Sequence, residues 1–449
     1  MRPPSAAEIK STVRRAAVAL FFFVLFFAFD RGPEMLDEPG GGSEPLKKLL
    51  DAQFFYQKLV TFTPFANPVE FASVISLRQP DLPSSAFENA CVAREYLAEL
   101  LPRVAALAPR VIALDLAFVK GGCDLPSVST ADLADAVRRA ALTSKIVVGL
   151  ASLTVDEARQ TDNLTAAQAR MLGLHSNELL LYEHEDFTAG TSDNRIRSGL
   201  LRLNADLRKV PLGWPVREVH GNAGTIDPKP KILRSLSFEA ALANNDSAYL
   251  RTIDDWDFHP LSVQQKREEF VDVPAICVMQ AENAGFDWNG SDCAYRVGTR
   301  PAGSPSMANA IKDLLRPVVL IGWTDDPKDI HNTPAGELPG VFLQANFVEA
   351  LSAPHLLKSV SPWLQIAVSL FWFALIEYQF WKDGSGRHVT VCCITVSVFF
   401  LIVCYVAVHN FGYYLDLWPP SALAIGLRII QDWAKPYLTR ATEGASVSP

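Results

Sequence analysis

Twenty consecutive residues, Val389–Val408, contain no Asp, Glu, Lys or Arg. About 20 apolar residues are what a helix needs to cross a hydrocarbon core of roughly 30 Å. A chain holding such a run folds with part of itself in a bilayer or buries a helix on every side. The surroundings favour the bilayer. Val360–Ile376 is also free of charge, and Gly412–Ile430 is apolar between Asp416 and Arg428. The excess hydropathy collects there and in Ala16–Phe29, while the middle reads as an ordinary water-soluble domain. A net charge of −8 without a long Lys/Arg run argues against nucleic-acid binding.

Four transmembrane helices are therefore expected. The first, Ala16–Phe29, follows Arg2, Lys10, Arg14 and Arg15 and reads either as a secretory signal or as an anchor. The residues before Asp30 offer no small-x-small pair to cleave, which favours the anchor. Lys and Arg in the flanks set orientation. The N-terminal cluster, the short loop with Lys382 and Arg387, and the tail with Lys435 and Arg440 all belong in the cytoplasm. The loop His409–Leu415 has no Lys or Arg and belongs outside. The expected organisation is a cytoplasmic start and anchor at 1–29, an extracytoplasmic domain at 30–361, three membrane helices at 362–430 and a short cytoplasmic tail at 431–449. A bacterial inner membrane is the expected location, with the large domain periplasmic or outside.

Four of the seven cysteines, Cys91, Cys123, Cys277 and Cys293, fall in the exported part. Two disulfides are expected, Cys91–Cys123 and Cys277–Cys293, with four buried thiols as the alternative. Geometry supports the first pair. Phe71–Leu77, Val111–Phe118 and Ile146–Leu150 read as strands, with helices at Ala86–Ala108 and Ala131–Ala141 between them. In such a crossover Cys91, early in a helix, and Cys123, just after the next strand, reach the same end of the sheet. The nearly continuous apolar runs VIALDLAF and VVLIG (Val318–Gly322) mark strands buried on both faces. The predicted fold class is α/β: a mixed, largely parallel sheet covered by helices. Leu200–Leu203 and Lys209–Val216 read as paired short strands, Leu233–Ala243 as a helix, and Gly340–Ala353 as a last helix before the membrane. Glu44–Val60 carries a helical apolar stripe leading out of the membrane.

Chemistry-bearing residues gather after the strands. Asp115 stands late in a buried strand, where open parallel sheets bind ligands. Asp325, Asp326, Asp329 and His331 crowd the loop after Val318–Gly322, at the same sheet edge, although Asp is also an ordinary turn-former. Asp255, Asp257 and His259 alternate but read as a solvated loop. His184-Glu185 lacks the second His of a zinc-protease helix. No nucleophile elbow, phosphate loop or dinucleotide fingerprint occurs. No catalytic residue, metal or cofactor is expected.

Val318–Asn346 (VVLIGWTDDPKDIHNTPAGELPGVFLQAN) resembles the closing motif of the type-2 CHASE domain, a sensory extracellular module associated with cyclases and histidine kinases. Its fixed positions are Ile321, Gly322, Asp329, His331, Thr333, Pro334, Pro339, Gly340, Ala345 and Asn346. RVIALDLAF with Asp115 and LNADLRKVPL (Leu203–Leu212) are similar to other parts of that family. The resemblance implies an extracytoplasmic sensor of a small ligand; together with the acidic loop it makes Asp115, Asp325, Asp329, His331, Thr333 and Asn346 the expected ligand set. It also implies homodimerisation through the juxtamembrane helix. Family members often carry a Trp/Pro-rich stretch after the first strand, and Ser76–Phe87 has no Trp. Family members continue into an output enzyme, whereas Gln431–Pro449 is too short for one. A non-enzymatic sensor signalling to a separate cytoplasmic or membrane partner is expected. The alternatives are an envelope scaffold or accessory subunit, and an extracytoplasmic metal-dependent hydrolase.

Overall fold

A computed structural model describes residues 69–79, 90–120, 128–161, 194–203, 210–220, 225–245, 266–299, 306–333 and 336–352, with parts of 164–187 and 358–414. The chain divides into two units, one of Thr63–Leu356 and one of Met1–Phe62 with Leu357–Pro449. Among the described residues no helix is long and apolar enough to cross a membrane. The four expected spans lie largely outside those residues.

The Thr63–Leu356 unit is built on six parallel strands: β1 (Ala72–Leu77), β2 (Val111–Ala117), β3 (Lys145–Leu150), β6 (Ile196–Leu200), β10 (Val271–Pro274) and β11 (Val318–Trp323). Their order is β10-β1-β11-β2-β3-β6. All six residues of β1 and the first five of β11 are buried, as apolar runs in a doubly covered parallel sheet must be. Alternation sorts the side chains by face. Ile75, Ile112, Ile146 and Ile321 meet α1 (Ala90–Ala106) and α2 (Val128–Ala140) through Leu97, Leu101 and Leu133. Val74, Val111, Val147 and Leu320 meet α4 (Leu236–Asn245) and α8 (Gly340–Ser352) through Leu236, Val341 and Phe342. Each such side chain contributes about 1.5–3 kcal/mol on burial. The largely parallel α/β sheet expected above is the one observed.

Between β10 and β11 come α5 (Ala275–Met279), α6 (Asp292–Val297) and α7 (Ala308–Leu314). The Cys277–Cys293 disulfide joins α5 to α6, with Cα atoms 5.5 Å apart. Cys91 is buried at the start of α1 and is disulfide-bonded; Cys123 lies outside the described residues.

A second sheet holds β4 (Leu153–Thr154), β5 (Leu179–Leu181), β7 (Gly213–His220) and β8 (Thr225–Ile226), with β9 (Lys231–Arg234) paired to β7. It corrects one expectation. Leu200–Leu203 and Lys209–Val216 do not pair with each other. Instead β6 adds in parallel to β3, and β7 joins the second sheet. Gly199 lets the start of α4 close on β6: a Cβ there would stand 2.6 Å from Leu236 Cα. The helix expected from Leu233 begins three residues later, because Leu233 belongs to β9 opposite Trp214. Strand β10 was hidden because its four residues include Asp272.

Candidate functional site

After β11 the chain crosses to one face through α8, whereas after β1 and β2 it crosses to the other through α1 and α2. Strand β11 lies between β1 and β2. The opening outside its carboxyl end is therefore a topological switch point, the usual ligand position in an open parallel sheet.

The register sets Ser76, Gly322 and Asp115 side by side across β1, β11 and β2. All three share the face covered by α8. Gly322 is bare because α8 comes down on it: a Cβ would lie 2.9 Å from Val341 Cβ and 3.0 Å from Asp115 Cβ. Asp329, at the end of the short turn Pro327–Asp329, closes the opening. Its Oδ2 accepts the Gly340 N–H at 3.1 Å and so caps α8, where a negative charge complements the helix dipole. A Cβ on Gly340 would stand 2.5 Å from Asp329 Oδ1. His331 Nε2 approaches that same Oδ1 at 3.3 Å.

Asp115 keeps part of its residue surface open, but its carboxyl lies deep in the protein mass. Burial, and secondly the charge of Asp329, push its pKa up to about 8. At neutral pH Asp115 therefore keeps its proton. The opening thus presents a hydrogen-bond donor, as a carboxylic acid kept neutral mainly by burial does.

The other expected ligand residues are tied into structure. Asp325 Oδ2 accepts the Gln79 N–H at 2.6 Å and Thr324 N–H donates to the Leu77 carbonyl at 3.2 Å, binding the loop to the end of β1. Thr333, on β12 (Ile330–Thr333), donates to the Gly336 carbonyl across the hairpin with β13 (Gly336–Pro339). Asn346 is buried within α8 and donates to Phe342 O at 3.0 Å. It stands six residues past the helix start, about 9 Å along the axis. The structure thus brings Asp115, Asp329 and His331 together, with Asp325 at the rim. Asp255, Asp257 and His259 lie outside the described residues.

Sequence reasoning missed Ser76, Arg78 and Thr324. Ser76 Oγ and Thr324 Oγ1 are buried with no hydrogen-bond partner. Their local signal was a Ser inside the apolar run of β1 and a Thr just past the end of β11.

Two other polar sites stand apart from this opening. Glu218, His220 and Asp227 have ligand atoms within 4.8 Å of one another, the one such set of three among the described residues, and Lys231 Nζ already sits 3.3 Å from Glu218. A cavity of about 100 Å³ at the ends of β3 and β6 is lined by His184, Glu185, Phe187 and Ser198. His184 Nε2 accepts the Ala151 N–H at 3.0 Å, so its Nδ1–H donates to Tyr182 O at 2.6 Å. Burial lowers its pKa. Beside it Arg94 bonds Thr130, Glu185 and the Val119 carbonyl.

The family model of the CHASE2 domain matches residues 45–377. The chain belongs to the CHASE2 domain family. No curated protein and no solved structure matches it. CHASE2 domains are extracellular sensory domains, and the match takes in the whole of the Thr63–Leu356 unit. The opening between β1, β11 and β2 belongs to this CHASE2 domain's own sheet.

Proposed function

We propose that the chain is a non-enzymatic sensor of a bacterial inner membrane. Its extracytoplasmic CHASE2 head takes a small ligand at the Asp115–Asp329 opening, and a separate partner reads the response through the membrane helices. The observation that carries this reading is the position of α8. Its first residue is held by Asp329 at the opening. Near its other end, Glu349 accepts the N–H groups of Phe71 and Ala72 at 2.7 and 2.6 Å. The unit begins at Thr63 and ends at Leu356, so Glu349 stands seven residues from the exit and Glu70 seven from the entry. One helix, about 20 Å long, thus spans from the ligand opening to both tethers. A ligand that binds one arrangement of α8 better than another shifts the population between them.

A second observation agrees with the expected topology. In the smaller unit Lys358 and Ser359 pair in parallel with Tyr413 and Tyr414. The first two directly follow the head, and the others lie in the loop expected outside, as a tail of three crossings requires.

A thermal-shift screen of the purified full-length chain tests the reading, together with a spin-label distance between positions 65 and 355 measured for each stabilising compound. The expected result is a compound that stabilises the parent, changes that distance, and does neither in Asp329→Ala. A chain that binds nothing saturably and co-purifies stably with another membrane protein would make it a scaffold instead.

A further inference from the structure

We propose that the end of β1 carries a binding site for a compact oxyanion, a phosphate or carboxylate group, held by Arg78 and Arg296. Three guanidinium groups converge on one carboxylate there. Asp272, whose side chain is fully buried, has Arg267 at 3.3 Å and both Arg78 and Arg296 at 3.7 Å. Asp292 adds a second carboxylate, 2.6 Å from Arg78. Three positive charges face two negative ones, which leaves the cluster one charge short of neutrality.

Its hydrogen bonds are also incomplete. Arg78 Nε and Nη2, Arg296 Nε, Ser76 Oγ, Thr324 Oγ1 and Asp272 Oδ1 are buried without partners. Five of these six atoms carry N–H or O–H groups. Buried donors left unpaired are costly, so a native cluster of them points to an acceptor. Among the described residues Arg296 makes a 3.7 Å ion pair with Asp272 and a contact of 5.6 Å with the Tyr295 ring. That long ion pair leaves its Nε without a partner, and its planar fork can grip an oxyanion through two parallel bonds.

The cluster is reachable. The Arg296 and Arg267 side chains are about one-third exposed and that of Asp292 is two-thirds exposed. Ser76, two residues before Arg78, and Thr324, whose N–H bonds Leu77 O just past the end of β11, add hydroxyls at this same end of β1. Asp272 holds the guanidiniums in place, and Asp292 occupies the Arg78 fork until an anion replaces it.

Equilibrium dialysis of the purified full-length chain against radiolabelled inorganic phosphate, in chloride-free buffer, tests the site; labelled acetate forms a second arm. The expected result is saturable binding in at least one arm, phosphate alone marking a phosphate group and acetate alone a carboxylate. Arg296→Gln should weaken that binding at least tenfold, and Asp292→Asn should tighten it severalfold. Absence of saturable binding in both arms overturns the proposal. So does an Arg296→Gln chain that folds and binds as the parent does. Should that variant fail to fold, the exposed Asp292→Asn decides alone: unchanged affinity overturns the proposal. The site and the sensor reading fail separately. Phosphate binding without any change in the 65–355 distance leaves the anion site standing alone, and a phosphate-blind chain with another ligand lost in Asp329→Ala leaves only the sensor.

Discussion

The Glu349 carboxylate accepts the backbone N–H of Ala72 at 2.6 Å, across 277 residues of sequence. The same carboxylate receives the N–H groups of Phe71 and Glu70. It closes the start of β1, the strand by which the chain enters the head, with the helix by which it leaves.

Truncating that link should loosen the tethers. Glu349→Ala leaves three backbone donors without their acceptor and is expected to cost about 2 kcal/mol. Glu349→Gln keeps one acceptor oxygen and should cost less. Burial raises the Glu349 carboxyl above its usual range, although the backbone donors pull the other way. Its stabilising contribution is therefore greatest at low pH and fades as pH rises through the native value. Urea denaturation of both variants at pH 5 and pH 8 checks cost and sign together.

Asp115 makes a sharper pH prediction. Its native pKa of about 8 lies far above the ordinary 3.8. The native state therefore holds a proton that the unfolded chain gives up, and stability falls as pH climbs from about 4 to about 8. The steepest slope for one group is about 1.4 kcal/mol per pH unit. Asp115→Asn, whose amide donates as the protonated carboxyl does, should match the parent near pH 4 and exceed it increasingly up to pH 8. A constant gap between the two denaturation curves over that range would refute the assignment.

His184 runs the opposite way. Burial lowers its pKa below 6.5, and its Nε2 must stay unprotonated to accept the Ala151 N–H. The stability it contributes is complete above pH 6.5 and is lost as pH falls toward the native value. His184→Phe should cost about 1 kcal/mol at pH 7 by orphaning that N–H. It should also flatten the decline between pH 7 and pH 5, read from melting curves across the range.

These sites differ in how far the sequence disclosed them. Strands β2 and β11 were legible because Val111–Leu114 and Val318–Ile321 are apolar without interruption, and Asp115, Asp329 and His331 followed once both strands pointed one way. Strand β5 has three residues, too few to display a period. The arginine cluster is drawn from positions 78, 267 and 296 around an aspartate on an edge strand, and no local window contains it. Tertiary convergence of that kind leaves no periodic trace. Asn346 was legible only as part of a motif; its amide N–H donates to the Phe342 carbonyl of its own helix.

Gly340 supplies the final test, because helix propensity and the observed packing disagree in sign. Replacing a helical glycine by alanine ordinarily stabilises by about 1 kcal/mol. At Gly340 the added Cβ would stand 2.5 and 2.7 Å from the two Asp329 carboxylate oxygens. Asp329 must move away, and α8 loses the bond that caps it. Gly340→Ala is therefore expected to destabilise by about 1–2 kcal/mol, within the range for loss of a cap. It should also lower the Asp115 pKa, since a neighbouring negative charge withdraws. Asp329→Ala should cost a similar amount for the same lost bond. In the double variant the clash has no partner, so its cost should approach that of Asp329→Ala alone rather than the sum of the two. A denaturation cycle over the four chains measures the coupling. Strict additivity would mean that Gly340 and Asp329 act on α8 independently, contrary to the contact between them.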